Sequence, residues 1–241
     1  MPVSSTHSGQ WSSESSRRWM ARREYNRFRF TPRWVVPRVM ESQLTDFAVQ
    51  LGFWDYGHEL FKSNPKTFPA GFVAGDIFDP STLAPRGPYI DNADIETISS
   101  ERLPPLQELT SLTALHGKIS AIHSASFFHL FSEEKQLDLA RRVSSLLVPK
   151  PGSIIFGSHI ALPKKGFRKG EGRDWDMFCH SPETWKDMWM EVFDNGDRKG
   201  AERVKIDTQL IQVPVQGNWA IYNKYSDKSD VWFMRWSVTR M

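Results

Sequence analysis

The chain has 241 residues, a formal net charge of +3 and one cysteine. This length allows one large domain with a real core, and a single cysteine excludes an internal disulfide and fits a reducing compartment. No apolar run approaches the roughly 20 residues of a membrane span, and no secretory signal is recognisable. We therefore expect a cytoplasmic protein that has no membrane partner.

The positive charge is concentrated near the N-terminus. Residues 1–40 contain eight arginines against two glutamates, a local balance of +6, so the remaining residues carry −3. This pattern predicts a basic, Ser/Arg-rich arm over residues 1–44, poorly ordered or atypical, before a folded domain over 45–241. Mitochondrial targeting and a grip on single-stranded nucleic acid are alternative roles for the arm. The slightly acidic body gives little reason to expect nucleic acid as a substrate.

The sequence after residue 45 has the periodicity of a globular α/β domain. The predicted elements are, in chain order, a strand over 47–51, a helix over 53–61, a strand over 71–75, a long loop over 80–116 that is partly helical around 103–115, a strand over 119–123, a helix over 133–147, a strand over 153–157, a loop over 163–176, a helix over 182–193 and two strands over 204–213 and 231–239. Strands that alternate with helices and end in an antiparallel pair indicate a doubly wound α/β sheet.

Each of the three predicted helices has an apolar face that we expect to pack inward. These faces consist of Phe53, Trp54, Gly57, Leu60 and Phe61 in the first helix, Leu137, Ala140, Val143, Ser144 and Leu147 in the second, and Trp185, Met188, Trp189 and Val192 in the third. Ser132 and Ser181 are the predicted N-caps of the second and third helices, and Pro182 suits a first helical turn.

Two stretches have the pattern of buried parallel strands that end at a ligand crevice. Residues 71–80 and 118–131 each begin with a short apolar run and continue into small and polar residues. Ligands in open α/β sheets bind outside the carboxyl ends of the strands. Asp76 and the residues Ser124, Ala125 and Ser126 would then lie on one rim, and we interpret this rim as a nucleotide-type cofactor site.

Six short segments, taken in order, resemble a known family. They are residues 53–61 (FWDYGHELF), 72–80 (FVAGDIFDP), 121–131 (AIHSASFFHLF), 147–153 (LVPKPGS), 177–185 (MFCHSPETW) and 232–240 (WFMRWSVTR). Together they resemble class I S-adenosylmethionine-dependent methyltransferases, and more narrowly the small fungal enzymes of secondary-metabolite clusters, such as those that esterify carboxyls of meroterpenoid intermediates. The resemblance implies a Rossmann-like sheet, S-adenosyl-L-methionine as cofactor, and methylation of a carboxyl or hydroxyl oxygen of a small-molecule substrate.

The resemblance also implies roles for particular residues. Asp76 would accept a hydrogen bond from the adenine amino group, with the backbone of Ile77 and Phe78 beside the ring. Ser124, Ala125 and Ser126 would line the floor near the reactive methyl group, and Gln50 would contact the ribose. His129 and His180 are the candidates for substrate contact, because a histidine can take a proton from a hydroxyl or hold a carboxylate. A turn cap for Asp76 and core positions for the histidines are the structural alternatives.

The match fails at its beginning. The family opens with a strand, a glycine-rich turn and an acidic ribose ligand, whereas Gly9 is the single glycine of residues 1–44 and Gln50 stands where the acidic residue is expected. We therefore predict a sheet that is incomplete at its N-terminal strand. One hypothesis is that residues 1–45 are a degenerate start joined to a genuine methyltransferase body.

Three functions remain open at this stage. The first is the methyltransferase itself, with residues 166–172 as a lid over the site. The others are a catalytically inactive methyltransferase-like relic or binding module, and a nucleic-acid-binding protein that uses the basic arm. We expect no metal site, because no cluster of ligands has metal spacing, and we expect Cys179 to be an ordinary side chain.

Overall fold

The computed structural model describes residues 47–98, 100, 103–168, 176–213 and 231–241, with the backbone alone for residues 47–53. The helices are α1 (Phe47–Phe61), α2 (Asn92–Glu96), α3 (Glu133–Ser145), α4 (Pro182–Val192) and α5 (Gly200–Arg203). The strands are β1 (Ala121–Ala125), β2 (Ile154–Ile160), β3 (Gly166–Arg168), β4 (Met177–Cys179), β5 (Val204–Val213) and β6 (Val231–Arg240). Short 3₁₀ turns cover Leu106–Glu108, Thr113–Leu115 and Phe128–Leu130.

A four-stranded mixed sheet organises these elements, in the order β1-β2-β6-β5. β1 and β2 are parallel and are joined through α3, so they form the βαβ unit of a Rossmann-like fold. β6 is antiparallel to both β2 and β5, and its pairing with β5 runs from Val204 opposite Arg240 to Val213 opposite Val231. The α/β class and the antiparallel pair at the end of the chain are therefore confirmed.

The ends of α3 and α4 follow the local signals in the sequence. The Ser132 hydroxyl accepts a hydrogen bond from the Lys135 N–H at the start of α3. At the start of α4, Ser181 and Thr184 form a reciprocal capping box, and Pro182 occupies the first turn. Both predicted helices are confirmed, and α4 has the predicted inward residues.

The core lies between the sheet and the two helices α3 and α4, which contact each other. Trp185 and Trp189 of α4 are completely buried, and Trp185 packs edge-on against Phe128 with ring centroids 5.0 Å apart. Trp236 of β6 lies 4.9 Å from the Trp185 ring. Burying side chains of this size is the main contribution to stability in this part of the molecule.

Three sequence predictions are wrong about the first half of the chain. Residues 47–51 belong to the single helix α1 rather than to a strand. The predicted packing of the α1 apolar face on a sheet is wrong for Leu60 and Phe61, which are 74% and 78% exposed. Residues 71–75 form no strand: Gly71 lies against the turn at Leu106, where an added Cβ would be 1.9 Å from the Leu106 carbonyl oxygen. A loop, not a strand, is therefore its neighbour.

The predicted loop over residues 163–176 is also partly wrong. Its residues Gly166–Arg168 form β3, which pairs with β4 in antiparallel register. The rest of the proposed lid, residues 169–172, lies outside the described residues, as do the arm over residues 1–44 and the side chain of Gln50. None of the helices in the described part of the chain combines the length and the apolar character that crossing a membrane requires.

Candidate functional site

The carboxyl end of β1 brings small residues close to β2. Ser126 has a left-handed backbone, with φ of 52°, and its N–H donates to the Ser158 carbonyl oxygen at 2.7 Å. Gly157 faces Ser124 so closely that an added Cβ would be 1.7 Å from the Ser124 carbonyl oxygen. The Ser124 hydroxyl oxygen is buried and has no hydrogen-bond partner among the described residues. A buried hydroxyl without a partner is a position where a ligand or an ordered water would be stabilised.

The segment that contains Asp76 is held against α3. Arg142 of α3 donates from Nη1 to the carbonyl oxygens of Ile77 and Leu83, at 3.3 and 3.1 Å. Asp76 lies on a turn, not on a strand tip, and its Oδ1 accepts the Phe78 N–H at 2.9 Å. This hydrogen bond is the turn cap that the sequence left open as an alternative, and the half-buried carboxylate keeps a second oxygen for other contacts.

An aromatic contact joins this segment to the chain that leaves β1. The Phe78 ring lies 5.2 Å from the Phe131 ring in an edge-on arrangement, and Phe131 in turn packs edge-on against Phe127 at 5.1 Å. Two stretches separated by about fifty residues in sequence are thus in contact. The structure does not pair them as adjacent strands, so the predicted rim of two strand tips is wrong in its geometry. The individual roles of Ile77, Phe78 and Ser124–Ser126 stay predictions.

His129 and His180 both lie inside the protein. His129 is 7% exposed within the turn Phe128–Leu130. His180 is 3% exposed, and its Nδ1 lies 3.0 Å from Thr184 Oγ1, while its Nε2 has no partner among the described residues. Burial lowers the pKa of His180 to about 4; nearby Glu133 opposes this shift and Lys165 adds to it. His180 is therefore neutral near pH 7.

A third buried histidine, His159, was not among the site residues predicted from the sequence. It lies in β2, beyond the predicted end of that strand at residue 157, and Trp236 Nε1 donates to its Nδ1 at 2.9 Å. Its ring is 4.4 Å from Trp185 and 6.4 Å from His129. Burial, together with His129 and His180, holds the pKa of His159 well below its usual value. Because Nδ1 accepts from Trp236, the neutral ring carries its proton on Nε2.

An open cleft of about 630 Å³ lies between α3, α4 and the β3–β4 hairpin, and we call it the α3–α4 cleft. Its lining residues are Ser132, Glu133, Glu134, Leu137, Lys165, Phe167, Phe178, His180, Thr184, Asp187, Met188 and Glu191. The volume is in the range of small-molecule sites. His180 thus belongs to the wall of a cleft, whereas His129 lies in the turn that follows β1.

Curated fungal proteins are similar to this chain. It is 31% identical to the O-methyltransferase phiE of Fungal sp. (strain ATCC 74256) over 154 residues, which are 64% of this chain and 42% of that protein. It is 32% identical to the Asnovolin E/Chermesin D methyltransferase nvfJ of Aspergillus novofumigatus (strain IBT 16806) over 152 residues, 63% of this chain and 45% of that protein.

The chain is thus a relative of fungal secondary-metabolite methyltransferases. It spans less than half the length of these two relatives. No protein-family model matches this methyltransferase relative. A solved S-adenosylmethionine-dependent methyltransferase from Mesorhizobium loti aligns with 78% of this chain and 85% of that one at 8% identity, with a TM-score of 0.34, which is too low to establish a common fold.

The described part of this methyltransferase relative supports neither a cysteine nucleophile nor a metal site. Burial raises the pKa of the Cys179 thiol to about 12, and the side chain is 1% exposed, so this cysteine is an ordinary core residue as predicted. The described residues also contain no group of three or more His, Cys, Asp or Glu side chains arranged to hold a metal ion.

Proposed function

We propose that this chain transfers a methyl group from S-adenosyl-L-methionine to a carboxyl or hydroxyl oxygen of a small secondary metabolite. The observation that carries the proposal is the end of β1, where Ser124 lies beside Gly157 and the Ser126 N–H donates to Ser158, in a relative of fungal methyltransferases. The ring contact between Phe78 and Phe131 adds support, because it holds the Asp76 segment against the stretch of chain that follows β1.

The residues present fit the nucleoside part of this cofactor. The buried Ser124 hydroxyl lacks a protein partner among the described residues, and Asp76 has a carboxylate oxygen beyond the one that caps its turn. A carboxylate accepts from an exocyclic amine without offering a competing proton. We assign Asp76 to the adenine amino group, the backbone of Ile77 and Phe78 to the ring, and Ser124–Ser126 to the floor of the site.

The cofactor, when bound, supplies a methyl group on a positively charged sulfur. The protein then has to hold the acceptor oxygen in line and to exclude water. A carboxylate acceptor is already ionised, whereas a hydroxyl acceptor has to lose a proton. His129 and His180 are the residues that we assign to contact with the acceptor. His180 is neutral near pH 7 and can accept a hydrogen bond from a hydroxyl, but its lowered pKa makes it a weak base.

Calorimetric titration with S-adenosyl-L-methionine tests this proposal. Asp76→Ala is expected to weaken binding about tenfold or more, because it removes a charge-assisted hydrogen bond. Asp79→Ala is the matched control, since Asp79 is an exposed aspartate that caps its own turn by accepting the Ser81 N–H. Equal affinity of the wild type and Asp76→Ala would remove the adenine assignment. No binding at millimolar cofactor would favour the inactive relic.

A further inference from the structure

The charged residues that line the α3–α4 cleft bear on the choice between a carboxylate and a hydroxyl as the acceptor. We infer that this cleft binds the acceptor as a neutral, largely apolar alcohol or phenol and rejects the corresponding carboxylate. This inference rests on the proposed function for its link to methyl transfer. The selectivity of the cleft itself is a property of the protein alone, and it is measurable without the cofactor.

The rim of the cleft is acidic. Four carboxylates line it, those of Glu133, Glu134, Asp187 and Glu191, against the single lysine Lys165. The Lys165 ammonium is already engaged, with Nζ 2.8 Å from Glu133 Oε1, and Glu191 is engaged by Arg141 from outside the cleft at 2.9 Å.

The uncompensated charge that remains is negative. Glu134 and Asp187 make no salt bridge within the described part of the chain. A carboxylate ligand in the cleft would therefore meet like charges, and the one cationic side chain among the described lining residues, Lys165, is already paired with Glu133, whereas a neutral ligand would meet no such repulsion.

The wall of the cleft offers one buried polar group to such a ligand. His180 Nε2 is without a partner among the described residues, although the side chain is 3% exposed. Thr184 Oγ1 accepts the Ser181 N–H at 3.0 Å and lies 3.4 Å from the Ser181 carbonyl oxygen, to which its own hydrogen can be donated. Oγ1 can then accept the Nδ1–H of His180, which leaves Nε2 as an acceptor for a ligand hydroxyl.

Most of the remaining wall is apolar. Leu137, Phe178 and Met188 line the cleft together with Phe167, whose side chain is 65% exposed. The Phe167 and Phe178 rings lie 5.6 Å apart at an interplanar angle of 71°. These surfaces suit a ring or an alicyclic body, and one acceptor nitrogen among them suits a single hydroxyl group.

A pair of probes with the same skeleton tests the inference directly. We would titrate the full chain with 2-naphthol and with 2-naphthoate at pH 7.5 without cofactor, and follow binding by ligand-detected NMR. The expected result is that 2-naphthol binds about tenfold more tightly than 2-naphthoate, and that salt narrows the difference because it screens the rim carboxylates. Equal or tighter binding of 2-naphthoate would overturn the inference.

Charge variants locate the discrimination. The double substitution Glu134→Gln with Asp187→Asn should strengthen 2-naphthoate binding severalfold and leave 2-naphthol unchanged. Glu202→Gln, which removes an exposed carboxylate of α5 outside the cleft, is the matched control and should change neither affinity. An equal gain for 2-naphthoate in both variants would show that the effect is not specific to the cleft, and would overturn the inference.

The role of His180 has its own measurement. His180→Phe should weaken 2-naphthol binding, whereas His180→Gln, whose side-chain oxygen can still accept a hydrogen bond, should retain more of it. Equal losses in the two variants would overturn the assignment of Nε2 as the acceptor. If the probes discriminate as expected but no methyl transfer is found with S-adenosyl-L-methionine, the proposed function fails and the selectivity of the cleft stands.

Discussion

Helices α1 and α4 are both rich in aromatic residues, yet they differ completely in how those residues are used. Trp185 and Trp189 of α4 are fully buried against the sheet. In α1, Leu60 and Phe61 are mostly exposed, and Trp54 finds its partner in the loop residue Phe72, with rings stacked at 5.2 Å. An apolar stripe thus leads to burial only where another element provides a surface to cover it.

The largest expected difference between the two helices concerns their aromatic side chains. Trp185→Ala should lower the free energy of unfolding by about 3–5 kcal/mol, because it leaves a cavity among Phe128, His159 and Trp236. Phe61→Ala in α1 should change it by no more than about 0.5 kcal/mol, since that ring is largely in solvent. Urea denaturation followed by circular dichroism measures both values. Similar losses would show that α1 is packed as firmly as α4.

Acid should weaken the region around α4 through His180. The pKa of His180 is lowered from the usual 6.5 to about 4, so the folded state favours the neutral ring. The corresponding stability is present above pH 6.5 and is lost as the pH falls towards 4, with a total of roughly 3 kcal/mol. Unfolding free energies measured between pH 7.5 and 4 should fall less steeply for His180→Gln than for the wild type. Parallel curves would contradict the prediction.

Two glycine substitutions should have opposite signs. Gly157→Ala should cost about 1–3 kcal/mol, because its Cβ would be 1.7 Å from the Ser124 carbonyl oxygen. Gly57→Ala in α1 should stabilise the protein by about 0.5–1 kcal/mol, since nothing lies within 4 Å of its Cβ and alanine is the better helix former. The unfolding temperatures of the two variants, compared with that of the wild type, test these opposite signs. A loss on Gly57→Ala would reveal a contact in α1 that the structure does not contain.

A smaller loss than that of Trp185→Ala is expected at the start of α4. Ser181→Ala should cost about 1 kcal/mol, because it removes the acceptor for the Thr184 N–H in the capping box. Ser181→Asp keeps an acceptor at the N-cap and should remain close to the wild type. Chemical denaturation of the two variants provides the comparison, and an equal cost for both would contradict the capping role.

The contrast also explains which parts of the fold were predictable. The bounds of α4 were confirmed because Ser181, Pro182 and the spacing of its tryptophans act within a few residues of one another. The strand over 71–75 was wrong because an apolar run specifies a strand only if a partner strand is available, and here the run packs against the turn at Leu106. The two short predicted elements at 47–51 and 53–61 are one helix, because periodicity alone does not distinguish short apolar runs.

The candidate site was predictable only in part, for the same reason. The sequence singled out Ser124–Ser126 and the segment around Asp76, but it assigned both to strand tips, whereas Asp76 lies on a turn that is tied to α3 by Arg142. His159 lay just past the end of a predicted strand and pairs with Trp236, which is distant in sequence. The α3–α4 cleft is likewise formed by three separate parts of the chain.

The sequence by itself determined the capped helices α3 and α4, the antiparallel strands β5 and β6, and the relationship to fungal methyltransferases. It could do so because caps, periodicity and short motifs are local. Only the tertiary structure decided the position of β6 between β2 and β5, the exposure of α1, the buried histidines around Trp185 and the acidic rim of the cleft. These features arise from pairing and burial between residues far apart in the chain, and no local pattern specifies them.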